Sequence, residues 1–237
     1  MPTWSDTAID VGLDSAWETY HENAKRSRRL GAPRPGPIAR ADEAEPLPPD
    51  AQVFALQAGG SLVTLPGEGT VDPAYAGAGV MALASLAALL AAAGRPIDEG
   101  DPVGMIVHAN AVETLPAGLY RHDHAARALV LLSREALARR LAAATDEPEL
   151  VVRAQAVVFL VGGLEDAAEA KGERGYRDAL FLAGRHAQVF DHLASGSGLW
   201  CQEIAGFYDR EVDRLLGLDG LSRSALAVIA VGTAADG

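Results

Sequence analysis

Few residues of this 237-residue chain have types and spacing suited to chemistry. Lys171 is one of only two lysines, the other being Lys25. A lysine whose pKa is lowered by burial serves as a general acid or base; an exposed one is an ordinary surface cation, and both readings stand. Cys201, next to Trp200, is either a nucleophile or a small buried hydrophobe. As the single cysteine it excludes an intrachain disulfide and a cysteine-based zinc site. His122-x-His124 offers two imidazoles in a predicted hairpin turn with no third ligand nearby, so no metal centre is expected. His186 and His192 are six apart, on different sides of one predicted helix, and read as structural. Glu165, Asp166 and Glu169 read as a solvated helix face. Gly59-Gly60-Ser61 and Gly67-x-Gly69 lack the following lysine and strand–helix context of a phosphate loop. Lys25 to Arg29 is the one dense basic patch, either a solvated helix end or a clamp for an acidic partner or phosphate.

The elements that must position these residues follow from periodicity. Asp14 to Arg29 is predicted as a helix, followed by a proline-rich extended strap from Ala32 to Pro49. Residues 1–50 are therefore set apart from a main domain over 51–237. Gln57 to Gly79 shows no period and reads as loop, and Val80 to Ala93 as a core helix ended by Gly94-Arg95-Pro96. Met105 to Ala111 is a strand, and Leu119 to Arg121 pairs with Ala128 to Leu132 as a hairpin. Arg134 to Ala144 is a short amphipathic helix and Val151 to Leu160 a strand rich in Val, Phe and Leu. Tyr176 to Ala194 carries apolar residues at helical spacing on two sides, one side including Leu180, Ala183, Ala187 and Phe190. That pattern predicts a helix buried on most of its surface, with Gly196 and Gly198 closing it as left-handed caps. A short helix opens at Asp209, and Ala225 to Val231 is an apolar run suited to a buried strand. Together these give an α+β fold, a mixed sheet flanked by helices.

Composition narrows the class. With 49% hydrophobic residues and mean hydropathy +0.08, the chain can bury one large core. A net charge of −12 argues against nucleic acid or an anionic membrane surface as partner. The N-terminus lacks a signal-peptide pattern, and the Val80–Ala93 run is too short to span a bilayer. A cytoplasmic location is the expectation.

From Lys171 onward the chain reads Y-R at Tyr176, A-G-x-x-A-Q at Ala183, G-L-W, I-A-G-F at Ile204, L-L-G-L-D and a closing A-V-G. In that order these motifs resemble the C-terminal half of SagB-type azoline dehydrogenases, within the nitroreductase-like flavoenzymes. Gly118 to Asp123 and Tyr20 to Lys25 also fit the layout of that family. The resemblance implies a nitroreductase-like fold whose long helix lies at a dimer interface. It implies FMN as cofactor, and oxidation of thiazolines and oxazolines to azoles in a ribosomal precursor peptide. It places Ile204, Ala205 and Gly206 at the flavin through their backbone amides, and Lys171 at the lysine of a catalytic Lys–Tyr pair. Gly172 stands where the tyrosine is expected. The arginine-rich phosphate turn of the family is replaced by Pro66 to Asp72, which has two carboxylates and no arginine. The stretch from Gly94 to Met105 is acidic where a flavin loop is expected. The implied role is an FMN-poor partner of a homologous dehydrogenase subunit. The alternatives are an FMN-dependent azoline dehydrogenase in its own right, forming a dimer with itself, and a non-catalytic peptide-binding protein.

Overall fold

The structure is a computed structural model, and it describes residues 49–56, 79–97 and 100–233. The helix expected over Asp14 to Arg29, its basic patch, the strap before Pro49 and the Pro66–Asp72 segment lie outside the described residues.

Among the described residues seven strands form one sheet: β1 (Val53–Ala55), β2 (Val103–Ala109), β3 (Gly118–Asp123), β4 (Ala128–Ser133), β5 (Ala156–Gly163), β6 (Leu199–Ile204) and β7 (Arg223–Thr233). Their order is β1-β4-β3-β2-β5-β7-β6. Among the described residues six helices accompany them: α1 (Leu83–Ala93), α2 (Ala138–Ala143), α3 (Pro148–Arg153), α4 (Leu164–Lys171), α5 (Arg174–Ser195) and α6 (Asp209–Leu216). The fold is α+β, as expected. Every pairing between these strands is antiparallel. Among the described residues, the parallel component that a mixed sheet needs is only the isolated bridge Met81–Val112.

Both faces of the sheet are covered, which explains why its central strands read as unbroken apolar runs. Alternate residues go to opposite layers because a strand repeats every two residues. Met105, Val107, Val158, Leu160, Ile229 and Val231 meet Leu86, Leu90, Ala183 and Phe190 of α1 and α5 in one layer. Ile106, Val157, Phe159 and Val228 meet Leu141, Val151, Val212 and Leu216 of α2, α3 and α6 in the other.

Three local expectations are corrected. Residues 148–153 are helical, not the start of a strand: Pro148 opens the helix with φ preset, and Glu149 and Arg153 complement its dipole. The strand starts only at Ala156. Gly196 caps α5 in a right-handed conformation, and the left-handed residue is Gly198, with φ 68°. Finally, α5 buries one side only. Ala179, Leu182, Ala183, His186, Ala187, Phe190 and Ala194 face the protein's own core, while Tyr176, Leu180 and Phe181 are exposed at 37%, 40% and 64%. The small residues Ala183 and Ala187 therefore serve intrachain packing.

Two buried histidines tie the layers together. His186, on α5, places Nδ1 2.6 Å from the Ala93 carbonyl and Nε2 2.7 Å from Asp101 Oδ2. Both partners only accept, so the ring satisfies both when both nitrogens carry protons. Asp101 also accepts the amides of Ile97 and Val103. Burial alone raises the Asp101 pKa, but the His186 contact and these amides together hold it below 3.8. On the opposite face, His108 Nε2 accepts the Leu137 amide at 3.0 Å. Burial lowers the His108 pKa, against the weaker opposing effect of its hydrogen bonds.

These contacts set the acid response. The folded pKa values of His108 and Asp101 lie below the unfolded ones, so these two groups bind fewer protons when folded and their contribution to stability falls as pH falls. The His108 contribution is complete above 6.5 and is lost as pH falls through its folded pKa; that of Asp101 follows below 3.8. Urea midpoints should decline as pH falls below about 6.5, and His108→Gln should flatten that decline. His186→Ala strands a buried carboxylate and should cost about 3–5 kcal/mol in urea unfolding at pH 7. A loss below about 1 kcal/mol would show that the pair is not what joins α5 to the Asp101 loop.

Candidate functional site

The loop implied to face a flavin follows β6, which pairs with β7 from Leu199–Thr233 to Ile204–Val228. Ile204 is 1% exposed and anchors the loop in the α2/α3/α6 layer. Ala205 is exposed, and Phe207 bridges to Thr145 in the connection between α2 and α3. Two backbone bonds of 2.9 Å fix that bridge, Asp146 N–H to the Gly206 carbonyl and Tyr208 N–H to the Ala144 carbonyl. The amides of Ala205, Gly206 and Phe207 have no acceptor among the described residues.

Gly206 has a close neighbour. A Cβ built on it would lie 2.0 Å from Asp146 Oδ2 and 2.7 Å from Asp146 Cγ, so the carboxylate rests directly on the glycine backbone. Segments 144–149 and 203–211 carry Asp146, Glu147, Glu149, Glu203, Asp209 and Glu211 against a single arginine, Arg210. A phosphate or a reduced, anionic flavin is repelled by such a field. The unpaired amides suit a flavin edge, but the surrounding charge does not. Taken as a set, these residues do not fit FMN.

Lys171 ends α4, and its Nζ lies 3.5 Å from Asp178 Oδ2, a carboxylate that Arg174 also approaches at 3.6 Å. None of the ion pairs or hydrogen bonds of the 204–208 loop involves Lys171. The next residue, Gly172, has φ 67° and ψ −162°, a region open essentially to glycine alone. The turn it makes lets α5 approach α4 so closely that a Cβ on Gly175 would lie 2.0 Å from the Ala167 carbonyl oxygen. A tyrosine at 172 would be strained in this backbone conformation.

The remaining chemistry-bearing residues separate. Burial raises the Cys201 thiol to about 12, with Asp191 and Glu203 adding to the effect, so it stays protonated and packs as a small hydrophobe. His122 and His124 stack edge to face, 6.1 Å between ring centres, and no cluster of three metal-ligating side chains occurs among the described residues. His186 and His192 are divided as expected, the first buried and the second exposed. The acidic Gly94–Met105 stretch reads differently in space: Asp101 turns inward to His186. Its signal was the histidine on the buried side of α5, 85 residues away.

No family model matches the chain. A candidate nitroreductase of Methanocaldococcus jannaschii is 24% identical over 115 residues, 48% of this chain and 58% of that protein. Among solved structures, a candidate nitroreductase from Anabaena variabilis superimposes with TM-score 0.72 at 19% identity, covering 92% of this chain and 47% of that one. One from Ralstonia eutropha gives 0.62 at 18% identity, covering 88% and 96%. A chain of the Escherichia coli microcin synthetase McbBCD complex, solved with truncated pro-MccB17 bound, gives 0.59 at 18% identity, covering 96% and 84%. The chain thus spans little more than half of the first relative and about half of the first structural neighbour. What these likenesses establish is the architecture: the chain has the nitroreductase-like fold.

Proposed function

We propose that this chain is a SagB-type, flavin-poor partner subunit of an azoline dehydrogenase complex that matures a ribosomally made peptide in the cytoplasm. Oxidising a thiazoline or oxazoline to the azole removes two electrons and two protons, so it needs an electron acceptor and a base. The observation that carries the reading is the 204–207 loop: its amides are open, but a carboxylate rests on Gly206 and acids flank it. The ion-paired Lys171 beside the glycine-only turn supports it, because its partner is the Asp178 carboxylate and a glycine stands where a tyrosine would complete the catalytic pair. A homologous subunit would then supply both acceptor and base. Likeness to a chain of the microcin synthetase complex, solved with a precursor peptide fragment, favours a peptide and other subunits as partners.

The surface offered to a partner is the outer side of α5, where Tyr176, Leu180 and Phe181 lie exposed within two turns. Apolar area of this kind on a helix is suited to a subunit contact. The open amides of Ala205 to Phe207 favour a second reading, an FMN-dependent azoline dehydrogenase acting alone, with Ile204, Ala205 and Gly206 at the flavin and Lys171 as general acid or base.

The absorption spectrum of the purified chain separates the two. Isolated protein should be colourless after gel filtration, whereas yellow protein with stoichiometric FMN establishes the second reading. In a co-purified complex, Lys171→Ala should leave turnover within a few-fold, short of the roughly 10²- to 10⁴-fold loss expected for a general acid or base. Replacing both Leu180 and Phe181 with Glu should shift the complex to its separate subunits on gel filtration while leaving each folded. An unchanged elution volume would move the interface elsewhere.

A further inference from the structure

Between α6 and the turn that leads into β7 lies a surface cavity of about 360 Å³, within the size range of ligand pockets. Arg210 and Arg214, one helical turn apart, line it with Asp213, Leu218, Asp219, Gly220 and Leu221. Two of these residues are acidic, so the lining carries both signs, but the oxygens of both carboxylates are bonded within the protein. Asp213, 4% exposed, accepts the Ser224 hydroxyl at 2.9 Å and the Ala225 amide at 2.8 Å. Asp219 accepts the amides of Leu221 and Arg223 at 2.9 and 3.0 Å, and these bonds hold its pKa at about 2. Gly217 and Gly220 supply the positive φ angles, 75° and 71°, that curl the rim around them.

The two guanidiniums are left over. Neither Arg210 nor Arg214 has an ion pair or side-chain hydrogen bond among the described residues, and both are exposed. Beside them Leu221 is 81% exposed, an apolar side chain that the fold does not use. A guanidinium offers a planar fork that matches a carboxylate with two parallel hydrogen bonds. The chain carries a net charge of −12, so it does not collect anions indiscriminately. Binding here would depend on short-range geometry.

From this arrangement we propose that the cavity is an anchor for an acidic peptide segment, in which one or two carboxylates meet Arg210 and Arg214 and a neighbouring aliphatic side chain covers Leu218 and Leu221. A bare phosphate would meet the guanidiniums but leave the leucines uncovered. The site rests on the proposed function for its biological occupant, a peptide undergoing maturation, and on the cavity alone for its chemistry.

The test uses the full chain and two fluorescein-labelled hexapeptides, GLDLEG and its uncharged counterpart GLNLQG, followed by fluorescence anisotropy. GLDLEG should bind, with GLNLQG at least about tenfold weaker, and the double variant Arg210→Gln/Arg214→Gln should lose at least about tenfold for GLDLEG only. Leu221→Ser should weaken GLDLEG and leave inorganic phosphate, added as competitor, unaffected. Circular dichroism of the variants establishes that they fold. Equal binding of the two peptides, an unaltered double variant, or no binding of GLDLEG at millimolar concentration overturns the proposal. So does protection of the site by phosphate with no peptide binding, which would make it an inorganic anion site. None of these results depends on flavin content, so a yellow protein would refute the partner-subunit reading without touching this one.

Discussion

Strand β5 has no residue open to water along its whole length from Ala156 to Gly163. It lies between β2 and β7 in the middle of the sheet, and helices cover both of its faces. That double burial dictates most of what surrounds it. A donor or acceptor left unmet there costs about 1–3 kcal/mol, so pairing inside the protein is favoured, with His108 Nδ1 and Trp200 Nε1 among the exceptions. Gln155, just before the strand, shows how this is met. Its amide nitrogen donates to the Gly79 carbonyl and the Thr233 hydroxyl, and its oxygen accepts the Thr233 amide. One side chain thereby joins the approach to α1 to the end of β7. His186 with Asp101 does the same for α5 and the loop before β2.

Such burial also limits where chemistry can occur. Cys201 and His186 are reactive types placed where water cannot reach them, and the packing that hides them removes them from any reaction. The groups that remain accessible stand at the rims, on the connections after β6 and α6. The first connection presents open amides under acidic side chains; beside the second stand two arginines, with Asp213 turned inward and Asp219 exposed but bonded to backbone amides. The first rim is acidic, and the second carries both signs.

Much of the fold was legible because apolar period and buried face coincide. Ala225 to Val231 and the Leu119–Arg121 hairpin strand had no other plausible reading, and α5 was bounded within two residues of its observed ends. The direction of α5 was not legible. Leu180 and Phe190 look alike in sequence, yet one is 40% exposed and the other 0%, because which side meets the sheet is decided by the crossing of α5 over β5. Val151-Val152 suggested a strand, and the proline three residues earlier outweighed them. Of the candidate site, motif order pointed to the Gly206 loop and to Gly172 in place of a tyrosine, but gave no sign of the Lys171–Asp178 ion pair. The Asp146 contact could not be read either, since it joins residues 60 positions apart through a bridge of two short loops. The inward pairing of Asp213 and the backbone bonds of the exposed Asp219 were equally hidden, because an acidic residue in sequence carries no sign of what its oxygens accept.

The turn at Gly172 limits what mutation can do there. Its backbone lies in a region that side chains rarely adopt, yet nothing stands within 4 Å of where a Cβ would sit, so another residue would be strained by about 1–3 kcal/mol rather than blocked. At Gly175 the bar is contact instead: any Cβ meets the Ala167 carbonyl, and α4 and α5 would have to separate to admit it. One glycine is held by its dihedrals and the other by its neighbour, so the two helices cannot be varied independently of the turn that joins them.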